Sequence, residues 1–319
     1  MASTQPLRRV CLVGANGFLG SVILRQLLDS GDGFQISVLR RTNSRSSGPG
    51  QGVREISVSP ELKTEEVTRA FTGQDAVVVV FPVRDVALHL RLAEAACRAG
   101  VQRFIPADFG SDSADESAQL RLGLFRDKTK VRKRCEELAA EKETNFSWTS
   151  IVCGLFFDDG IREGYQLFDL DRRHARLLDG GTAHISTSTV SRTASATVAT
   201  LLNPVPTRNR IIYVQSFCPS QLETLAELER VTGAKWSTET LHARAFLDEQ
   251  QRKLEAGDLS AEKHVAVAGP VISMLSAVDW PARKRGATGG ELLALPDEVL
   301  SDVVAEAVAA WRGGGGIKT

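Results

Sequence analysis

An α/β fold built on a doubly wound parallel sheet is what this sequence predicts, and three observations carry the prediction. Apolar runs bounded by turn residues alternate with stretches of helical periodicity, one strand and one helix in roughly 20 to 40 residues. Residues 76–83 are almost continuously apolar, as a strand buried on both faces must be. The first apolar run, residues 10–13, stops in glycines spaced three apart, Gly14, Gly17 and Gly20, where a helix begins.

Glycines at such a strand–turn–helix point let the backbone approach a pyrophosphate, and the helix start offers N–H groups and a partial positive charge. Asn16, Phe18 and Leu19 share the turn and belong to the same candidate cradle. Leu19, Ile23 and Leu27 recur every four positions as the apolar stripe of a helix lying on a sheet, which Gly31-Asp32-Gly33 ends. Residues 35–39 form the second strand, with Arg40 and Arg41 at its carboxyl end. An acid there would accept from the ribose hydroxyls of NAD, whereas arginine pairs with the 2′-phosphate of NADPH, so the expected cofactor is NADPH. Residues 43–52, rich in Ser, Gly and Pro, read as a loop able to fold over that phosphate, with Arg45 as an extra contact. Residues 53–58 alternate as a third strand, and 64–71 make a short helix. The end of the next strand, with Phe81 and Pro82, belongs beside the nicotinamide half, because ligands of such sheets sit at strand carboxyl ends. A helix over 86–99, a strand over 102–105 and the loop 106–110 follow at the same edge.

The helix over 120–141 carries the second informative feature. Leu124, Val131, Cys135 and Leu138 fall in one narrow arc of the helical wheel, with Lys128 at its border, while Lys130, Lys133 and Arg134 point away. A lysine bordering an inward stripe is paired, snorkels, or sits at a cavity wall. At a cavity, desolvation and a cationic nicotinamide both favour its neutral form, which suits proton exchange near neutral pH. Two other chemistries lack their motifs. Tyr165 and Tyr213 are followed four residues later by Asp169 and Phe217, not by the lysine of a Tyr-x-x-x-Lys reductase, and no Gly-x-Ser-x-Gly elbow of a hydrolase is present.

Composition narrows the partners. Lysine plus arginine equals aspartate plus glutamate at 39 each, so no net field draws the chain to nucleic acid or an anionic membrane. No apolar run is long enough to cross a bilayer, and residues 1–9 lack the apolar core of a secretion signal, so a cytoplasmic protein is expected. The five cysteines form no Cys-x-x-Cys pair, which suits reduced thiols, and the five scattered histidines form no metal-ligand spacing.

Several segments together resemble one family. Residues 14–20 (Gly-Ala-Asn-Gly-Phe-Leu-Gly), 103–110 (Arg-Phe-Ile-Pro-Ala-Asp-Phe-Gly) and 128–132 (Lys-Thr-Lys-Val-Arg) resemble the atypical short-chain reductases of the isoflavone reductase and phenylcoumaran benzylic ether reductase type. Residues 146–149, 154–157 and 177–181 resemble the fungal NmrA-like or CipA-like branch. The resemblance implies pyrophosphate binding by Gly14, Gly17 and Gly20, NADPH recognition by Arg41 with Arg40, and a catalytic Lys128 that also borders the cofactor. Plant members read Pro-Ser-Glu-Phe-Gly where this chain has 106–110, and a double arginine where it has Arg132-Lys133, which puts plant lignan or isoflavone substrates in doubt.

In the second half, strands are expected over 147–152 and 211–214, and helices over 193–202, 221–232, 243–256 and 296–311. The organisation expected is a Rossmann NADP(H) domain over 1–154 and a smaller, interleaved α/β substrate domain over 155–319, with 186–214 returning to the first. Asp108, Phe109, Phe156, Phe157, Tyr165 and Phe168 are candidates for a substrate pocket, with Trp280 as a further aromatic. The expected function is NADPH-dependent reduction of a small aromatic or conjugated carbonyl-type metabolite of secondary metabolism, with Lys128 as general acid/base and a homodimer as the assembly. Two alternatives stay open: an NmrA-type NADP(H) sensor without chemistry, and redox-neutral dehydration or isomerisation in the same pocket.

Overall fold

The computed structural model describes residues 5–46, 48, 50–114, 119–120, 123–142, 144–273 and 289–313. It divides the chain into two compact units, Met1–Phe109 with Gly123–Val152 and Thr193–Ile212, and Gly110–Leu122 with Cys153–Arg192 and Tyr213–Thr319. Trp280 and the last three glycines of the run 313–316 lie outside the described residues.

In the first unit β1 (Arg9–Val13), β2 (Gln35–Arg41), β3 (Val53–Val58), β4 (Ala76–Val79) and β5 (Arg103–Ile105) form one parallel sheet in the order β3-β2-β1-β4-β5. The chain winds outward from β1 in one direction and then restarts at β4 in the other, so β1 and β4 flank the point where such sheets take their ligands. β6 (Thr149–Val152) extends the sheet through a parallel bridge from Phe104 to Trp148, and Arg210–Tyr213 lies beside β6. Helices α1 (Phe18–Asp29), α2 (Thr64–Phe71), α3 (Val86–Arg98) and α4 (Gly123–Ala140) supply the covering layers. All four residues of β4 are buried, and Val77 and Val79, on one face, share a core with Leu92, Ala93, Val131, Cys135, Leu138 and Phe146. Burial pushes the Cys11 thiol up to about 12, so this cysteine behaves as a small apolar residue.

Arg103 breaks the apolar pattern at the centre of this core. Its Nε donates to Ser147 Oγ at 2.9 Å, Nη1 to Thr149 Oγ1 at 2.9 Å and Thr207 Oγ1 at 2.8 Å, and Nη2 to the Pro204 carbonyl at 2.6 Å. These neutral acceptors satisfy the guanidinium fork and tie β5 and β6 to the 204–207 turn, while burial lowers its pKa to about 10.

The second unit has its own sheet, in which Ser237–Leu241 runs parallel to His174–Leu178 and Phe168–Asp169 antiparallel to it. The helix Gln221–Thr232 starts on a capping box between Ser220 and Glu223 and stops at Gly233, whose φ of +66° is left-handed. Its core gathers Phe157, Ile161, Phe168, Leu225, Leu228, Trp236, Val304 and Val308. The strand Ser237–Leu241 and the helix Ala261–Ser273 were not among the expected elements. Ser-Thr-Glu-Thr-Leu has no buried alternate face to announce a strand, and only backbone pairing with His174–Leu178 makes it one.

Candidate functional site

The glycine turn leaves β1 at Gly14, whose φ of +99° side-chain-bearing residues rarely adopt. Gly17 N donates to Gly14 O at 3.0 Å, and Gly17 then caps α1 in an extended conformation. A Cβ on Gly20 would stand 2.1 Å from Gly14 O, and one on Gly14 would stand 3.3 Å from the Val80 carbonyl. The glycines therefore press the turn against both the helix start and the end of β4. Leu19 is buried beneath the turn and Phe18 is exposed. No acidic side chain occupies the first turn of α1, so its N-terminal partial positive charge is not neutralised from within.

The arginine pair divides its work. Arg41 is exposed at the end of β2. Arg40 is half-buried: its Nη1 faces Glu55 at 3.3 Å, and its Nη2 donates to the Ser44 carbonyl at 3.2 Å and to that of Ser46. Among the described residues, Arg40 Nε has no hydrogen-bond partner. Asn16 Nδ2 donates to Ser46 Oγ at 2.7 Å, which draws the loop after β2 onto the glycine turn. Two guanidiniums, an orphaned N–H and the hydroxyls of Ser44 and Ser46 are a donor set that fits a phosphate ester. Glu55 competes for Arg40, a restraint the sequence did not reveal. Glu55→Gln should tighten NADPH binding by up to about 5-fold, since a partly exposed ion pair is worth at most about 1 kcal/mol. Titrating cofactor fluorescence against both proteins checks this, and weaker binding by the variant would contradict the competition.

At the end of β4, Phe81 is half-buried and Pro82 exposed. The Phe81 ring lies 4.4 Å, centroid to centroid, from that of His89 in the first turns of α3. His89 is buried and bonded to the Pro82 carbonyl, and among the described residues its Nε2 has no hydrogen-bond partner. Burial, reinforced by the nearby Lys128 charge, lowers its pKa to about 4 against the pull of Asp85 and Pro82. A histidine depressed in the folded state takes up its proton on unfolding, so stability present above pH 6.5 is lost as the pH falls toward 4. The loss is about 3 kcal/mol in all. Urea unfolding at pH 7 and pH 4.5 should show a steeper decline for the native protein than for His89→Gln; parallel declines would contradict the assignment.

Lys128 projects from the buried face of α4, and its Nζ donates to the Phe109 carbonyl at 2.6 Å. It is 7% exposed, so the residue placed at the border of the stripe is enclosed. Val131, Cys135 and Leu138 are buried as expected, Leu124 only partly, and Phe125 takes the inward place beside Lys128. One turn along the same face, Arg132 is also buried, which the wheel did not single out.

Asp108, expected on a pocket wall, is instead 1% exposed: its Oδ2 accepts from Arg132 Nε at 2.8 Å, from Arg132 Nη2 and from Ser150 Oγ at 2.6 Å. A carboxylate so enclosed is packed behind the loop rather than presented to a substrate. Phe109 is half-buried, and its carbonyl is the group that meets Lys128. The four remaining aromatics belong to the second unit. Phe157 is core there, edge-on to Phe217 at 5.4 Å, which corrects its expected place on a pocket wall; Phe168 packs edge-on to Trp236 at 6.5 Å and also borders a cavity of that unit with Arg162, Leu170, Arg176 and Trp311. Phe156 is half-buried, and its carbonyl accepts from the buried Tyr165 hydroxyl at 2.9 Å.

The first unit thus carries the glycine turn, the arginine pair, Phe81, Pro82 and Phe109 at or just after the carboxyl ends of its parallel strands, with Lys128 reaching the Phe109 carbonyl from α4. A family model described as NAD(P)H-binding matches residues 14–201. Oxidoreductase aprR of Aspergillus flavus is 30% identical over 93% of this chain and 97% of its own length. The bifunctional pinoresinol-lariciresinol reductase of Linum album is 27% identical over 82% of this chain and 84% of its own. Among solved structures, AtPrR2 with NADP+ and (+)pinoresinol shares the fold at a TM-score of 0.72 and 18% identity, over 96% of this chain and 99% of that one. The glycine cradle, the parallel sheet that turns at it and these matches make the chain a member of the NAD(P)H-binding oxidoreductases, similar to proteins named NmrA-like oxidoreductase and pinoresinol-lariciresinol reductase.

Proposed function

We propose that the protein is an NADPH-dependent reductase of a small aromatic or conjugated carbonyl-type metabolite, with Lys128 as its general acid/base. The observation that carries the reading is a buried lysine on the cofactor-binding unit whose Nζ donates to the Phe109 carbonyl at 2.6 Å. Gly14, Gly17 and Gly20 with the start of α1 hold the pyrophosphate, and Arg41, Arg40, Ser44 and Ser46 the 2′-phosphate. Phe81 and Pro82 border the nicotinamide half. The chemistry that NADPH held by these residues would supply is hydride donation to an electrophilic carbon. Lys128 moves the accompanying proton: as an ammonium it donates to the oxygen that gains charge, and as an amine it removes a proton from a substrate hydroxyl. The Phe109 carbonyl takes one ammonium hydrogen and so limits the directions in which the others point.

The test follows NADPH absorbance with a panel of aromatic ketones, enones and quinone methides, alongside NADPH and NADH titrations. Stoichiometric NADPH consumption with NADPH bound more tightly than NADH supports the reading. Product formed with NADPH unchanged would replace it with redox-neutral chemistry, and binding without turnover of any pathway intermediate would replace it with a sensor.

A further inference from the structure

Two interactions fasten the loop after β5 to α4, and they are neighbours at both ends. Asp108 and Phe109 are adjacent on the loop, while Lys128 and Arg132 stand one turn apart on the helix, facing the same way. Lys128 takes the Phe109 carbonyl and Arg132 the Asp108 carboxylate. The carboxylate and guanidinium are 2% and 4% exposed, and Ser150 of β6 bonds the same Oδ2 at 2.6 Å. Loop, helix and sheet therefore meet at one carboxylate oxygen, a single residue from the carbonyl that orients the lysine.

A buried ion pair is a poor device for stability, because desolvation costs several kcal/mol per charge and apolar side chains of similar volume often hold two elements as well or better. What it adds is direction. Arg132 meets Oδ2 through Nε and Nη2 together, and Ser150 approaches it from the sheet, so the loop is restrained against both rotation and sliding along α4. The Phe109 carbonyl, fixed to the next Cα, inherits that restraint.

We propose that Asp108, Arg132 and Ser150 are positioning residues that set the direction of the Lys128 ammonium through the Phe109 carbonyl, and do not themselves meet substrate or cofactor. The proposal rests on the proton-transfer role given to Lys128 above. Misplacing a reacting group by about 1 Å costs on the order of 100-fold in rate, which sets the size of the effect.

A double-mutant cycle in the full-length enzyme tests it, with Asp108→Asn, Lys128→Met and their combination assayed for kcat, KM and NADPH affinity. Asp108→Asn should lower kcat by about 100-fold with KM and NADPH affinity within about 2-fold of the native protein. In the Lys128→Met background it should lower kcat no further, and Asp108→Glu should recover part of the loss. Ser150→Ala, which removes one donor to Oδ2 and keeps the ion pair, covers the case in which Asp108→Asn does not fold; it should lower kcat by about 2- to 10-fold in the native background only. Equal losses in both backgrounds would show general damage and overturn the proposal, as would unchanged kcat in both single variants. Full activity of Lys128→Met alone would instead overturn the role of Lys128 itself, so the two failures are told apart.

Discussion

Replacing Lys128 is expected to lower kcat by about 10²- to 10⁴-fold, the usual worth of a positioned proton donor, while NADPH affinity stays within a few-fold of the native value. The choice of replacement decides what is learned. Lys128→Met keeps most of the volume in a site that is 7% exposed, so the fold is retained and the loss reports the missing ammonium. Lys128→Arg keeps a positive charge near the Phe109 carbonyl, yet a guanidinium does not release its proton near neutral pH. If proton transfer is the role, arginine rescues little. If the charge alone stabilises a developing oxyanion, arginine restores most of the rate. Stopped-flow single-turnover rates separate the chemical step from product release, and activity above about a tenth of native in Lys128→Met would rule out the assignment.

Gly20→Ala is expected to remove most NADPH binding without touching any group that contacts the cofactor through its side chain. The added Cβ would lie 2.1 Å from Gly14 O, 2.9 Å from Gly14 C and 3.0 Å from Ala15 Cα, and every one of these is a backbone atom. No rotamer change relieves such an overlap, so the turn and the first residues of α1 must separate, and the N–H groups that face the pyrophosphate lose their common aim. Overpacking of this kind costs about 1–3 kcal/mol in stability, which leaves a folded protein on which binding can be measured. NADPH affinity should fall by at least about 10-fold, with a lower Tm. Gly31→Ala is the control, since a Cβ there meets no atom within 4 Å and its strain is that of a positive φ alone.

The first unit was largely legible because its signals are local. A valine run says buried strand, three glycines at fixed spacing say close approach, and Leu19, Ile23 and Leu27 give the sheet-facing side of α1. The helices expected over 64–71 and 221–232 have those bounds in the structure, Thr64–Phe71 and Gln221–Thr232. The second unit was legible only in part. Its strand Ser237–Leu241 is mostly exposed polar residues paired to a segment some 60 positions earlier, and nothing in a short window encodes such pairing.

The sequence by itself determined the α/β class, the glycine turn after the first strand, the arginines at the end of the second and a lysine at the border of an inward stripe, because each depends on residue type and on spacing along one element. Only the tertiary structure decided which charges answer which. Arg40 against Glu55, Arg132 and Ser150 together against Asp108, and Arg103 among Ser147, Thr149 and Thr207 join residues 15 to 104 positions apart. It likewise moved Asp108 and Phe157 from an expected pocket wall into packing. Periodicity states that a side chain faces inward; whether it meets a cavity, an apolar cluster or an opposite charge is settled by the element folded against it, and that element lies elsewhere in the chain.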